Sequence, residues 1–136
     1  MHINRKVGDS MQTMTATMEG LRAILDGLLK VEGVTAALVV GRDGFVIESA
    51  TAAGEEVDSD VVGAIAASTL GSSDVMGGEL HLGGLGSILI EFEKGPVAVT
   101  PAGGDAVLAV VGNRLANLGR VRIEMRRVRA AVAGQL

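Results

Sequence analysis

The run Asp105-Ala-Val-Leu-Ala-Val-Val-Gly112 constrains this chain more than any other stretch. Six consecutive apolar residues between turn formers are the pattern of a strand covered on both faces, which requires a layer above and a layer below. Asn113 follows as a helix cap, and Leu115, Leu118, Val121, Met125, Val128 and Val132 recur at steps of three and four. That spacing makes an apolar helical stripe. The stripe must lie against a sheet, and the strand before it supplies one.

The rest of the chain completes such a sheet. Residues 1–12 carry no pattern and are expected to be a flexible tail, with one domain over 13–136. Met14, Met18, Leu21, Leu25 and Leu28 form a first helical stripe that stops near Glu32-Gly33. Val34 to Val40 is a second continuous apolar run. Arg42-Asp43-Gly44 turns it into Phe45-Val-Ile-Glu-Ser49, a β-hairpin. Asp58 or Ser59 caps a helix running to about Met76, with Gly77-Gly78 as its stop. Ser87-Ile-Leu-Ile-Glu-Phe92, Val97-Ala-Val-Thr100 and the Asp105 strand follow through short turns as an antiparallel meander. The fold class is therefore α+β, in the order α-β-β-α-β-β-β-α, with the Val34–Val40 and Ala106–Val111 strands in the middle of one sheet.

The middle helix has two weakly apolar faces. At about 100° per residue, Val61, Val62, Ile65, Thr69 and Met76 share one side and are expected to face the core. The other side holds Gly63, Ala66, Ala67, Leu70 and Gly71, with Asp60 and Asp74 at its ends. A solvated face would carry Lys and Glu; this one is small, and small residues at i, i+4 and i+8 let another backbone approach closely. It is either a subunit interface or a surface buried in its own domain, and in so small a domain the interface is expected.

Composition excludes several function classes. There is no Cys, Trp or Tyr and there are only two Phe, so thiolate chemistry is absent and aromatic platforms for single-stranded nucleic acid are lacking. No apolar run approaches a membrane span and the N-terminus has no signal-peptide segment, so a cytoplasmic protein without membrane insertion is expected. Residues 43–105 carry eleven carboxylates against the single Lys94, whereas residues 106–136 carry six Arg against Glu124. The acidic remainder argues against nucleic acid despite that basic helix. Gly83-Gly-Leu-Gly-Ser87 lacks a phosphate loop's Lys-Ser/Thr ending and opens a strand, so it reads as a flexible turn. His2 and His81 stand in no metal-ligand spacing, and Glu55, Glu56, Asp58 and Asp60 read as a solvated loop and helix cap. No catalytic residue, metal site or cofactor is expected.

Two stretches carry a family resemblance. Ala37-Leu-Val-Val-Gly-Arg-Asp-Gly-Phe-Val-Ile47 resembles the first hairpin of the roadblock family, which is named for a dynein light chain. Asn117-Leu-Gly-Arg-Val-Arg-Ile-Glu-Met-Arg-Arg127 resembles its closing helix, the more specific of the two matches. The resemblance covers about residues 14–130. It implies a five-stranded antiparallel sheet with the first and last helices on one face and the middle helix on the other. It also implies a homodimer that pairs third strands edge to edge and packs middle helices together. In this chain that assigns Gly63, Ala66, Ala67, Leu70, Gly71, Ser87, Ile88, Leu89, Ile90 and Glu91 to the interface. The implied function is non-enzymatic: a regulator or scaffold for a small Ras-like GTPase, similar to the bacterial activators of a polarity GTPase, which rearrange the GTPase's own catalytic residues. Asp60, Leu70 and Asp74 are then the expected GTPase contacts. Arg42 is the nearest finger-like residue, although a turn arginine is usually just solvated. The alternative is a passive structural adaptor or dimerisation module with no GTPase partner, and an enzyme or small-molecule sensor is disfavoured by the missing polar constellation.

Overall fold

A computed structural model describes residues 19–136. The tail and the Met14 and Met18 positions of the first stripe lie outside these residues. The described elements are α1 (19–29), β1 (Val34–Gly41), β2 (Val46–Thr51), α2 (Ser59–Glu79), β3 (Ile88–Phe92), β4 (Gly95–Ala102), β5 (Ala106–Gly112) and α3 (Leu118–Gly134). All five strands form one antiparallel sheet in the order β2-β1-β5-β4-β3. The two continuous apolar runs sit inside it, and neither is an edge.

Alternation along these strands sorts the core into two layers. Ala36, Leu38, Val40, Val99, Val107 and Ala109 point to one side, where they pack with Ala66, Ala67 and Leu70 of α2. Ala37, Val39, Ala98, Leu108 and Val110 point to the other, against Leu21, Leu25 and Leu28 of α1 and Val121, Met125 and Val132 of α3. A strand buried on both faces has no polar alternation to display, which is why β1 and β5 read as unbroken apolar runs. The register is fixed where Leu38 stands opposite Ser49 on one side and Ala109 on the other. A bulge at Val39/Val40 then shifts the pairing with β2. Thr35 and Thr100, the buried polar residues, donate their hydroxyls to Val111 O at 3.2 Å and Gly86 O at 2.9 Å.

Several boundaries differ from the sequence reading, among them β2, read as Phe45–Ser49 and found over Val46–Thr51. The cap of α3 is Asn117, whose Oδ1 accepts from Arg120 N at 3.0 Å; Asn113 instead accepts from Leu115 N in a preceding turn. Both asparagines are competent caps, and the turn between them delays the helix by four residues. Nor does α2 stop at Gly77-Gly78. It continues to Glu79 and ends where Leu82 N donates to Gly77 O and His81 N to Gly78 O, with His81 in the left-handed region at φ 56°. These are the two bonds of a Schellman closure, made here by a non-glycine residue. The strand read as Val97–Thr100 extends as β4 over Gly95–Ala102.

The orientation of α2 is the main correction. The small side, expected to face outward, covers the sheet: Gly63, Ala66, Ala67 and Leu70 are buried. Val61, Ile65 and Met76, expected in the core, are 53–60% exposed. The reason is distance. A Cβ on Gly63 would stand 2.9 Å from Val46 Cγ2 and 3.2 Å from Val40 Cγ2, so the small residues admit this chain's own sheet to the helix axis. Close packing outweighs the gain from burying the larger side chains.

A candidate interaction surface on the second helix and the free sheet edge

With its small side spent inward, α2 turns a line of branched apolar residues outward. The helix begins where Asp58 Oδ1 accepts from Val61 N at 3.2 Å, and it lies over β1, β2 and β5 with its flank reaching β4. β3, which among the described residues pairs only with β4, is left at the margin of this cover. Between the helix and that strand runs a groove of about 180 Å³ lined by Val62, Ile65, Ala66 and Thr69 above and Ile90, Phe92, Val97 and Val99 below. No charged side chain lines it. Phe92, one of two phenylalanines in the chain, stands 61% exposed at its mouth.

The opposite flank of α2 is different in character. There Arg42, in the β1–β2 turn, donates from Nη1 to Asp74 Oδ2 at 2.9 Å. Arg42 borders an open depression shared with Gly44, Ala67, Ser68, Gly71 and Val75. Arg42 is therefore tied to the helix and is not the free turn arginine read from sequence. Both partners are about a third exposed, so water screens the pair and its contribution to stability is small, roughly 0–1 kcal/mol.

The expected site residues do not all come together. Leu70 is fully buried under α2 and can contact no partner. Asp60 and Asp74 lie fourteen residues apart on one helix, about 21 Å along its axis, and only Asp60 is without a partner among the described ion pairs. Gly71 is exposed, with open space where a Cβ would stand. At the sheet edge, Ser87, Ile88 and Ile90 are half-buried, and Leu89 and Glu91 are exposed. Sequence reasoning missed Val61, Ile65 and Phe92 as surface residues. The available signal was a helix apolar on two sides with glycine on only one, since glycine marks the side a backbone must approach.

Chemically this surface offers contact area. Among the described residues no buried side-chain nitrogen or oxygen lacks a hydrogen-bond partner, and no group of three or more His, Asp or Glu could hold a metal ion. No described helix is long and apolar enough to cross a membrane. Glu55 and Glu56 are exposed beside the start of α2, adding to the charge of Asp60.

Comparison with known proteins gives a consistent result. A family model described as Roadblock/LC7 domain matches residues 21–112. Among curated relatives, the protein MJ0310 of Methanocaldococcus jannaschii is 37% identical over 106 residues, which are 78% of this chain and 90% of that protein. The solved structure of MglB with tetrameric arrangement is 25% identical, with a TM-score of 0.82 over 88% of this chain and 90% of that one. The Roadblock/LC7 domain from Streptomyces avermitilis shares the fold at 22% identity, with a TM-score of 0.74 over 82% and 92% of the two chains.

Proposed function

The chain belongs to the Roadblock/LC7 domain family, and on that premise we propose that it is a non-enzymatic homodimer that binds a small Ras-like GTPase in the cytoplasm and modulates its nucleotide cycle. The observation that carries the reading is the apolar groove between α2 and β3, open along an edge strand whose outer backbone groups have no neighbour among the described residues. An exposed edge of this kind invites pairing with another chain, and a second copy is always at hand. Two β3 edges side by side would join the sheets, and the outer lines of two α2 helices (Val61, Ile65 and Met76 in each) would cover the seam. Ser87, Ile88, Leu89, Ile90 and Glu91 keep their expected place at such an interface. On α2 the contact would be made by the outer line, because Gly63, Ala66, Ala67 and Leu70 are already packed within the chain. The tetrameric arrangement of the similar MglB supports self-association by this fold.

Regulation of a GTPase is the finer part of the reading and follows from the family resemblance together with charge. Asp60, Glu55 and Glu56 cluster at the N-terminal end of α2, and a dimer would present that cluster twice toward a basic partner surface. Association should then be fast and salt-sensitive. This chain would act by ordering the GTPase's own switch loops. The test is the affinity of the purified protein for the GTPase that copurifies with it, loaded with GDP or with a non-hydrolysable GTP analogue, beside single-turnover hydrolysis. A preference for the triphosphate form and a changed hydrolysis rate are expected. Equal affinities and an unchanged rate would leave the passive adaptor.

A further inference from the structure

On the far side of the sheet, α3 has an outer face that nothing above uses. Its inner line, Val121, Met125, Val128 and Val132, packs on the sheet. Diametrically opposite run Gly119, Ile123, Ala130 and Gly134, all exposed, with Ile123 at 65%. A solvated helix normally carries its charges along this outermost line. Here the line has none. The arginines stand on its two flanks instead: Arg122, Arg126 and Arg129 on one, Arg120 and Arg127 on the other. Among the described ion pairs only Arg127 is engaged, with Glu124 at 2.6 Å. Leu115, 67% exposed in the turn before the helix, extends the apolar crest toward Ile123.

An apolar crest between two basic rails suits a flat anionic surface. Long guanidinium side chains can reach outward past the crest to phosphates while a short apolar ridge enters the headgroup layer. A protein partner would need a concave face with carboxylates on both walls to meet the same geometry. The charges elsewhere favour the same orientation. Across the sheet, helix α2 carries Asp60, Asp74 and Glu79 and no basic residue of its own, Arg42 of the β1–β2 turn offsetting only Asp74. The molecule is therefore electrically polar across its sheet and would turn α3 toward a negative plane. Beside α3 lies α1, with Gly20 against Gln135. That segment carries Glu19, Asp26 and Glu32 against Arg22 and Lys30, with Arg22 engaged by Asp26 and Glu48 and Glu32 beside Leu115 and Ile123, so the contact is confined to the outer line of α3 and its arginines. We propose that this face docks the protein reversibly on a membrane rich in anionic phospholipid, independently of any partner on the α2 side.

The experiment is flotation of the full chain with vesicles of phosphatidylcholine alone or with about one-third phosphatidylglycerol. Binding is expected to the anionic vesicles only, and to weaken as salt is raised. Each arginine near such a surface contributes about 1 kcal/mol, so replacing Arg122, Arg126 and Arg129 together by Gln should lower partitioning about a hundred-fold. Ile123→Ser should lower it by about ten-fold if the crest enters the headgroups. Arg122, Ile123 and Arg126 are exposed and Arg129 is half-buried, so unchanged circular dichroism and at most a small change in melting are expected, and Asp60→Asn on the opposite layer should bind vesicles as the parent does. No flotation of the parent protein, or equal flotation of the triple variant, would overturn the proposal. Binding to polyglutamate or duplex DNA in preference to vesicles would also overturn it and reassign the face to an acidic polymer.

Discussion

Ile65→Glu separates the stability of the single chain from that of the proposed dimer. Ile65 is 60% exposed, so about two-fifths of its burial lies within the chain. Full burial of an isoleucine contributes about 1.5–3 kcal/mol, so the substitution removes about 1 kcal/mol of folding stability. Glu is the better helix former by a few tenths of a kcal/mol, which offsets part of this. The single chain should therefore lose only about 2–4 °C in melting temperature. The dimer would fare far worse. Each copy would forfeit about 1–2 kcal/mol of further apolar burial and would strand a carboxylate in an apolar groove at a cost of roughly 2 kcal/mol or more. Two copies make about 6 kcal/mol, raising the dissociation constant by about four orders of magnitude. Sedimentation equilibrium over a dilution series, with thermal denaturation in parallel, reads both effects. A folded monomer where the parent is dimeric is the expected outcome. A variant as dimeric as the parent would refute the assignment of the outer line of α2 to the interface. Ala67→Glu is the control: it places a charge against this chain's own sheet, where Ala67 is 6% exposed, and should unfold the domain at any concentration.

Two further substitutions probe the fold that presents this surface. Leu70→Ala should cost about 2–5 kcal/mol in urea unfolding, because Leu70 is fully buried between α2 and the sheet and its loss leaves a cavity. A cost below about 1 kcal/mol would mean that α2 is loosely held. Gly33→Ala should destabilise by at least about 1–2 kcal/mol, since Gly33 has φ +83° and a Cβ there would collide with Ala116 N. If urea unfolding shows Gly33→Ala to be as stable as the parent, the lock between the α1–β1 turn and the start of α3 is not as close as described.

What the sequence made legible follows the strength of each local signal. β1 and β5 were readable because unbroken apolar runs have few other homes, and placing them inside the sheet followed directly. The hairpin was readable from Asp43-Gly44, and Gly44 indeed takes φ +92°. The cap of α3 was misread because Asn113 and Asn117 are four residues apart and equally suitable; only the turn through Leu115 decides between them. The end of α2 was misread because glycine permits termination without requiring it, while His81 accepts the left-handed conformation that ends the helix. The facing of α2 was illegible for a deeper reason. Periodicity reports which residues share a side, and both sides of this helix are apolar. Which side turns inward depends on the approach distance of Val40 and Val46, a tertiary quantity absent from any local window. The proposed interface residues on α2 were chosen by that rule, whereas those on β3 came from the family resemblance; β3 does lie at a sheet edge, and the helix part of the proposal moves by half a turn.

The uneven layering of the sheet gives the groove its meaning. Five strands at about 4.8 Å spacing span roughly 19 Å between the outer axes, whereas one helix with its side chains is about 10 Å across. One face of this sheet has two helices: α1 reaches β2, where Arg22 donates to Ser49 O, and α3 lies over β4 and β5. Among the described residues the other face has α2 alone. A single helix can shield about half of that width, and α2 stands over β1, β2 and β5, so the deficit falls at β3. The residues left there are not those of a solvated face, because Ile90 and Phe92 alternate toward the groove while Val62 and Ile65 descend to meet them. At the most exposed of these positions, Ile65 and Phe92, polar substitutions would relieve the exposure at a small cost to the single chain, since both side chains are more than half exposed. Their apolar character therefore favours a covering layer from outside the chain, and a second α2, brought in by pairing at β3, has the width that is missing.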